Sequence, residues 1–227
     1  MQYKLIGTTM PAVEITFDQP GEKMITQSGG MAWMSADVSM DTNTNGGIKK
    51  GLGRLLAGES MFQANYTAQR AGASIAFAST VAGQIMPIDV SKGAFIIQKG
   101  AFLCSEAGVN LDIVVQKKLG AGFFGGEGFV LQKISGSGIC FLEVDGDKVV
   151  KTLAPGEVLL VDTGNVVAFQ DGVGFDIETV KGAKNILLGG EGLFLTKLTG
   201  PGEVVLQTQN LNEFAQRIAA LIPSSSS

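Results

Sequence analysis

The order of apolar and polar residues along the chain is typical of short β-strands. After Glu127, for example, Phe129, Val130 and Ile134 are apolar whereas Lys133 is polar. This partly alternating pattern over about eight residues favours a sandwich strand over a helix. Glycine-rich turns separate this and many similar short runs along the chain. The pattern therefore predicts an all-β fold.

The strand pattern recurs three times. A Gly-Glu phrase precedes a strand-like run in each copy. Its glutamates, Glu59, Glu127 and Glu191, are 68 and then 64 residues apart. A second landmark, a glycine before an apolar run, is spaced by 70 and 64 residues, at Gly30, Gly100 and Gly164. Because the two series agree within two residues, we predict three tandem units, near residues 12–84, 85–150 and 151–208.

The end of the chain has a different period. Asn210 is suited to an N-cap, Glu213 follows three residues later, and apolar residues then recur at helical spacing at Leu211, Phe214, Ala215, Ile218 and Ile222. We predict an amphipathic helix within residues 209–222 that is docked on the β body. A partner helix or a membrane-surface helix is the alternative, although Arg217 is its only cation. Residues 223–227 are expected to be disordered.

Composition excludes several classes of function. The chain of 227 residues has 32 glycines, a formal net charge of −4 and no histidine. The absence of imidazole excludes Ser-His-Asp catalysis and histidine-ligated metals. The acidic balance argues against nucleic-acid binding by bulk charge. No secretory signal pattern or long apolar run is present, and Cys104 and Cys140 lie in apolar runs, so a cytoplasmic location with free buried thiols is expected.

The repeated phrase carries a resemblance to a known family. Residues 125–129 (Gly-Gly-Glu-Gly-Phe) and 189–193 (Gly-Gly-Glu-Gly-Leu), the Gly-Pro-Gly before the last strand and the terminal helix resemble the altered-inheritance-of-mitochondria family. The resemblance implies a β-sandwich of the double-stranded β-helix type, similar to the tryptophan RNA-binding attenuator protein (TRAP-like), and frequent homo-oligomers. It implies no catalytic residues. Its bacterial members are mostly of unknown function. The first copy departs from the phrase at Ala57 and Ser60.

A lysine stands ten residues before each repeated glutamate, and the three pairs form the candidate anion- or partner-binding site: Lys49 with Glu59, Lys117 with Glu127, and Lys181 with Glu191. If the units pack around a threefold axis, three ammonium groups would converge and raise the local concentration of an anion or acidic headgroup. The alternative is a set of duplicated surface turns, whose exposed ion pairs contribute only about 0–1 kcal/mol each.

Other motifs are weaker. Residues 120–125 match G-x-G-x-x-G, but a strand pattern follows instead of the helix that a dinucleotide site needs. Asp37 and Asp41 resemble part of a calcium loop that lacks its twelfth-position acid, so we predict a polar turn there. Trp33, the only tryptophan, is predicted to lie in the core.

The sequence favours a non-catalytic binding or scaffold protein, because the usual catalytic apparatus is absent and the repeat indicates architecture. Homo-oligomers are expected, because glycine-rich sandwiches have strand edges that need to be covered. The alternative is a small-molecule or anionic-ligand binding protein, or an enzyme, with a pocket between β units. No cofactor and no metal are expected. An unidentified protein partner or membrane-surface contact stays open, and RNA binding rests on fold analogy alone.

Overall fold

The computed structural model describes residues 1–27, 29–43, 63–117, 129–179 and 194–222. For six of these residues the description covers the backbone only: 42, 43, 116, 117, 179 and 194. Within the described ranges the regular structure is mostly β-strand, with three short 3₁₀ helices (Val90–Lys92, Lys99–Ala101 and Thr163–Asn165) and one α-helix after the last strand. The predicted all-β fold with a short C-terminal helix is therefore confirmed.

After β1 (Gln2–Ile6), the strands of the described residues fall into three consecutive sets of six. The first set contains β2 (Ala12–Thr16), β3 (Lys23–Thr26), β4 (Met31–Met34), β5 (Val38–Asn43), β6 (Gln63–Ala68) and β7 (Ser74–Ala78). The second set contains β8 (Gly83–Asp89), β9 (Phe95–Gln98), β10 (Phe102–Glu106), β11 (Val109–Lys117), β12 (Phe129–Gly136) and β13 (Ile139–Asp145). The third set contains β14 (Lys148–Leu153), β15 (Val158–Asp162), β16 (Val166–Gln170), β17 (Gly174–Thr179), β18 (Phe194–Thr199) and β19 (Gly202–Gln207).

All three sets pair their strands in the same antiparallel order. The first strand of each set pairs with the sixth, and the sixth with the third. The second strand pairs with the fifth, and the fifth with the fourth. Each set therefore contributes three strands to one sheet and three to another.

Four sheets result from this pairing within the described ranges. Sheet A has the order β1-β2-β7-β4, sheet B β5-β6-β3-β10-β13-β8, sheet C β11-β12-β9-β16-β19-β14 and sheet D β15-β18-β17. Sheet B joins the first set to the second through β3 and β10, and sheet C joins the second to the third through β9 and β16. The middle sheets are thus shared between consecutive sets, so the sets cannot separate without breaking backbone hydrogen bonds.

In the part of the chain that the structure describes, three hydrophobic clusters fill the spaces between successive sheets. The first core, between sheets A and B, includes the edge-to-face pair of Phe77 and Tyr66, whose ring centroids are 5.7 Å apart. The second core lies between sheets B and C. The third core, between sheets C and D, includes Phe169 and Leu198. The central strands of sheets B and C contact a core on each face, which is why β9, β10, β13 and β16 read as nearly continuous apolar runs.

Trp33 does not lie in the core. Its side chain is 46% exposed on β4, at an edge of sheet A. Its indole nitrogen lies 3.4 Å from a carboxylate oxygen of Glu14. The prediction was wrong because an apolar strand pattern indicates a face to be buried but does not indicate whether the neighbouring strand is present.

The C-terminal helix α1 (Leu211–Leu221) begins where the sequence predicts. The side chain of Asn210 accepts hydrogen bonds from the backbone amides of Asn212 and Glu213. The predicted docking is wrong, since no residue of the helix is buried and Phe214 is 48% exposed. The helix is held instead at its first turn, where the Asn210 amide donates to Asp162 at 3.2 Å.

Candidate functional site

The predicted lysine–glutamate site lies almost entirely outside the described residues. Five of its six members lie outside the described residues: Lys49, Glu59, Glu127, Lys181 and Glu191. Lys117 ends strand β11, where its backbone lies opposite Phe129. Whether these residues form a ring around a common axis stays a prediction.

The three segments that carry the Gly-Glu phrases occupy the same place in the strand order. Residues 44–62, 118–128 and 180–193 each join the fourth strand of a set to its fifth. The G-x-G-x-x-G match at residues 120–125 falls in the second of these segments and lies outside the described residues. The Gly-Glu phrases thus fall at the same point of the strand order in all three sets.

A surface cleft of about 340 Å³ lies between the first and second sets. It is lined by Met1, Gly21, Glu22, Lys23, Glu106, Ala107, Gly108, Ser137 and Gly138. This cleft is the described feature closest to the predicted pocket between β units. It is open to solvent, and its lining includes two carboxylates and one lysine.

The two carboxylates of the cleft are engaged in holding loops. Glu22 accepts hydrogen bonds from the backbone amides of Asp18 at 2.8 Å and Gln19 at 3.3 Å. Glu106 accepts one from the amide of Ile139 at 3.2 Å. In the third set, the Gln170 side chain accepts the corresponding bond from the amide of Glu203 at 2.9 Å. Because an uncharged side chain makes the same bond at the equivalent position, the role of Glu106 there is structural.

A second repeated contact holds the connections between sets. Glu143 accepts hydrogen bonds from the hydroxyl of Ser79 at 2.6 Å and from the backbone amide of Thr80 at 2.7 Å, where the first set passes into the second. Gln207 accepts one from the amide of Asp145 at 3.0 Å, where the second set passes into the third. Sequence reasoning missed these residues, although Glu143 and Gln207 are 64 residues apart, one of the spacings of the repeat.

Among the carboxyl groups of the described residues, that of Asp145 has the most strongly shifted pKa. Burial, with a further contribution from the Glu143 carboxylate, raises the pKa of Asp145 from 3.8 to about 6. The folded protein therefore holds a proton on Asp145 between about pH 4 and pH 6 that the unfolded chain releases. The free energy of unfolding consequently falls as pH rises through this window. Above about pH 6 the full destabilisation by the ionised Asp145 carboxylate is present.

We expect Asp145→Asn to stabilise the protein at pH 7 by about 1 kcal/mol, after allowing for solvent screening of this partly exposed carboxyl. The gain should vanish at pH 4, where the Asp145 carboxyl is protonated in the folded state. Urea unfolding at both pH values measures the difference. Asp147→Asn is the matched control, because it removes the same charge from an exposed side chain two residues away. An equal gain at pH 4 and pH 7 would contradict the assignment.

Both cysteines are free and buried, as predicted. Burial raises the pKa of the Cys104 thiol, with a further contribution from Cys140, and burial also raises that of Cys140. Since the thiolate is the reactive form, neither side chain is suited to act as a nucleophile.

We expect neither thiol to react with iodoacetamide at pH 8 in the folded protein, and both to react in denaturant. Mass spectrometry after a timed reaction counts the modified residues. A surface cysteine introduced as Ser91→Cys provides an accessible control in the same molecule, since Ser91 is exposed. Modification of Cys104 or Cys140 at the rate of this control would show that the burial is not maintained in solution.

The described residues contain no group of three or more acidic, cysteine or histidine side chains placed to hold a metal ion. Asp37 forms an ion pair with Arg70 at 2.8 Å, and Asp41 lies within β5 opposite Asn65. Asp37 lies in the turn before β5, as predicted, whereas the prediction is wrong for Asp41, since β5 occupies residues 38–43. No helix within the described ranges is long and apolar enough to cross a membrane.

The fold and its polar contacts define an all-β protein of stacked antiparallel sheets, in which carboxyl and amide side chains at the junctions hold the backbone. The chain belongs to the family described as Mitochondrial biogenesis AIM24, which it matches over residues 3–209. The resemblance drawn from the glycine-rich phrases is thereby confirmed.

Two comparisons with individual proteins agree with this membership. An uncharacterized protein of Streptococcus pyogenes serotype M6 is 28% identical over 168 residues, which are 70% of this chain and 66% of that protein. A crystal structure of a Streptococcus pyogenes protein from a structural genomics consortium has a TM-score of 0.82 and 26% identity, and the match covers 97% of this chain and 99% of that one. Neither description states an activity.

Proposed function

We propose that the protein is a non-catalytic scaffold or binding protein that works as a homo-oligomer. The observation that carries this proposal is the use of its junction side chains. Glu106 and Gln170 accept hydrogen bonds from backbone amides at one pair of corresponding positions. Glu143 and Gln207 do so at a second pair. These four side chains fix the sheets relative to one another, and they are not free to bind a reacting molecule.

Self-association is supported by the edges of the outer sheets. β4 and β15 are edge strands, and both carry exposed apolar side chains, including Trp33 and Leu160. Unpaired apolar edges are sites of association unless they are covered. Light scattering coupled to gel filtration tests the proposal, since an oligomer has a molar mass that is a multiple of 23.6 kDa. A uniform monomer at micromolar concentration would overturn the oligomeric scaffold.

The cleft between the first two sets supports a second candidate, a small-molecule binding protein. A volume of about 340 Å³ lies at the small end of the usual range for ligand pockets. Thermal shift with a metabolite collection would reveal a ligand as a raised unfolding midpoint. Ala107→Trp fills the cleft and should abolish the shift, whereas Ala71→Trp, at an exposed turn that does not line the cleft, should preserve it. A collection without stabilising compounds, or a shift that survives Ala107→Trp, would contradict this candidate.

A further inference from the structure

Sheets A and D are two complementary halves of one larger sheet. In sheet B, the fourth, fifth and second strands of one set are followed by the third, sixth and first strands of the next, and sheet C repeats this order. Sheet D ends after β17-β18-β15, the fourth, fifth and second strands of the third set. Sheet A supplies β4-β7-β2, the third, sixth and first strands of the first set, with β1 added outside. The missing junction is a pair between β15 and β4.

Corresponding residues of the three third strands can be assigned from their pairing. β4, β10 and β16 each have a register shift after the first paired residue, between Met31 and Trp33, between Phe102 and Cys104, and between Val166 and Ala168. Trp33 therefore corresponds to Cys104 and Ala168. The residues that follow them correspond in the same way: Met34, Ser105 and Phe169.

The corresponding residues differ sharply in exposure. Cys104 and Ala168 are 0% exposed, whereas Trp33 is 46% exposed. Ser105 and Phe169 are 0% and 2% exposed, whereas Met34 is 37% exposed. The buried copies lie at the two paired junctions, and the exposed copy lies at the edge that has no partner among the described strands.

Strand β15 shows the same contrast from the other side. Ile25 pairs with Ser105 in sheet B, and Ile96 pairs with Phe169 in sheet C. On the neighbouring fifth strands, Ile25, Ile96 and Leu160 lie opposite Asn65, Lys133 and Lys197, the corresponding positions of the repeat. Ile96 is 9% exposed, whereas its counterpart Leu160 is 52% exposed.

We propose that β15 of one copy of this chain pairs antiparallel with β4 of a second copy, and that the two outer sheets thereby become one continuous sheet. This inference rests on the homo-oligomer of the proposed function and specifies its interface. The two internal junctions set the register. By their pattern Leu160 lies opposite Met34, and Val161 lies opposite Trp33. We call this interface the β15–β4 seam.

The internal junctions also indicate what the seam buries. Ala168, the counterpart of Trp33, lies in the third set but packs in the second core. Ile96, the counterpart of Leu160, lies in the second set but packs in the third core. In the seam Trp33 therefore enters the third core of the adjacent copy. Leu160 enters the first core of the other copy beside Met34. Both side chains lose their exposed apolar surface, which is the main driving force for association.

The seam is head-to-tail, because it joins different strands of the two copies. Such an interface leaves a free β4 at one end of a dimer and a free β15 at the other. Further copies add until a ring closes, or indefinitely if it does not close. A pair of variants that each block one edge distinguishes this arrangement from a symmetric one.

The first experiment uses Leu160→Arg and Met34→Arg, measured by light scattering alone and after mixing. Each variant alone should be a monomer of 23.6 kDa, because an arginine at one edge blocks each seam. Their mixture should give a dimer of about 47 kDa, twice 23.6 kDa, and nothing larger. The intact β15 of the Met34→Arg chain then meets the intact β4 of the Leu160→Arg chain. Dimer formation on mixing also shows that both variants are folded.

Val150→Arg is the matched control. Val150 is an exposed apolar residue on β14, an edge strand that the seam does not use. This variant should keep the molar mass of the wild type. A wild-type oligomer that persists in both seam variants, or that Val150→Arg disrupts equally, would overturn the seam while leaving the scaffold proposal standing. A monomeric wild type would overturn both.

Trp33 gives an independent optical signal, since it is the only tryptophan. Its fluorescence emission should shift to shorter wavelength in the assembled wild type and to longer wavelength in Leu160→Arg, where the indole returns to water. Emission that is the same in the wild type and in both seam variants would contradict burial of Trp33 in the seam.

Disulfide trapping tests the register. Met34→Cys and Leu160→Cys chains, mixed and oxidised, should form a covalent dimer, because directly opposite residues have Cβ atoms about 4.5–5.5 Å apart. Trp33→Cys mixed with Leu160→Cys should not, since adjacent positions on a strand point to opposite faces. The native cysteines are buried and should not interfere. In a chain carrying both Met34→Cys and Leu160→Cys, crosslinked dimers and larger species support the seam, and a disulfide within one chain would overturn it.

Discussion

Phe169→Ala is expected to lower the free energy of unfolding by about 3–5 kcal/mol, the usual cost of removing a buried phenylalanine. Phe169 is 2% exposed and lies in the third core. Its ring stacks on that of Phe175, with centroids 5.7 Å apart and an interplanar angle of 7°. Its strand also pairs with β9 across the junction of the second and third sets. The cavity would therefore open where sheet C holds two sets together.

Thermal and urea unfolding measure this loss, and for a chain of this length it corresponds to a fall in the midpoint of roughly 6–20 °C. Phe169→Leu keeps most of the volume and should cost clearly less than the alanine variant. Val150→Ala, at an exposed position of β14, should change stability by no more than about 0.5 kcal/mol. A loss below about 1 kcal/mol for Phe169→Ala would show that the third core is not closely packed.

The sequence predicts local structure well because local structure depends on local pattern. The run after Glu127 forms β12, Asn210 caps the helix, and Cys104 and Cys140 are buried, each as expected. These results need only the alternation of side chains along a strand, a capping side chain and an apolar neighbourhood. They do not need knowledge of which strands are neighbours.

The failures concern neighbours that are distant in the chain. Trp33 has the apolar surroundings in sequence that Cys104 has, yet Trp33 is exposed and Cys104 is buried. Among the described strands, β10 has a neighbour on both sides and β4 on one side. The helix stripe of Phe214 and Ile218 is likewise exposed, since nothing in the stripe itself specifies a surface to receive it. The candidate lysine–glutamate site is not one of these failures and stays a prediction, since five of its six residues lie outside the described residues.

Gly83→Ala is expected to cost about 3 kcal/mol, the upper part of the usual range for overpacking, because its methyl group has no space. Gly83 begins β8 opposite Asp145, at the connection between the first and second sets. A Cβ atom there would overlap the backbone carbonyl oxygen of Val144 and would crowd the amide nitrogen of Gly146 at 3.1 Å. Backbone atoms cannot rotate away as a side chain can. Relief requires β8 to move from β13, which weakens their ladder.

The matched control is Gly100→Ala, at an exposed turn where an added Cβ has nothing within 4 Å. This variant should be neutral or slightly stabilising, because alanine restricts the unfolded chain more than glycine does. Urea unfolding of both variants isolates the steric effect from the loss of glycine flexibility. Hydrogen exchange should also show faster exchange of β8 and β13 amides in Gly83→Ala, with β19 amides less affected, since β19 lies in another sheet. Equal stability of the two variants would mean that β8 has room to shift, and that the close approach to Val144 does not fix the first connection.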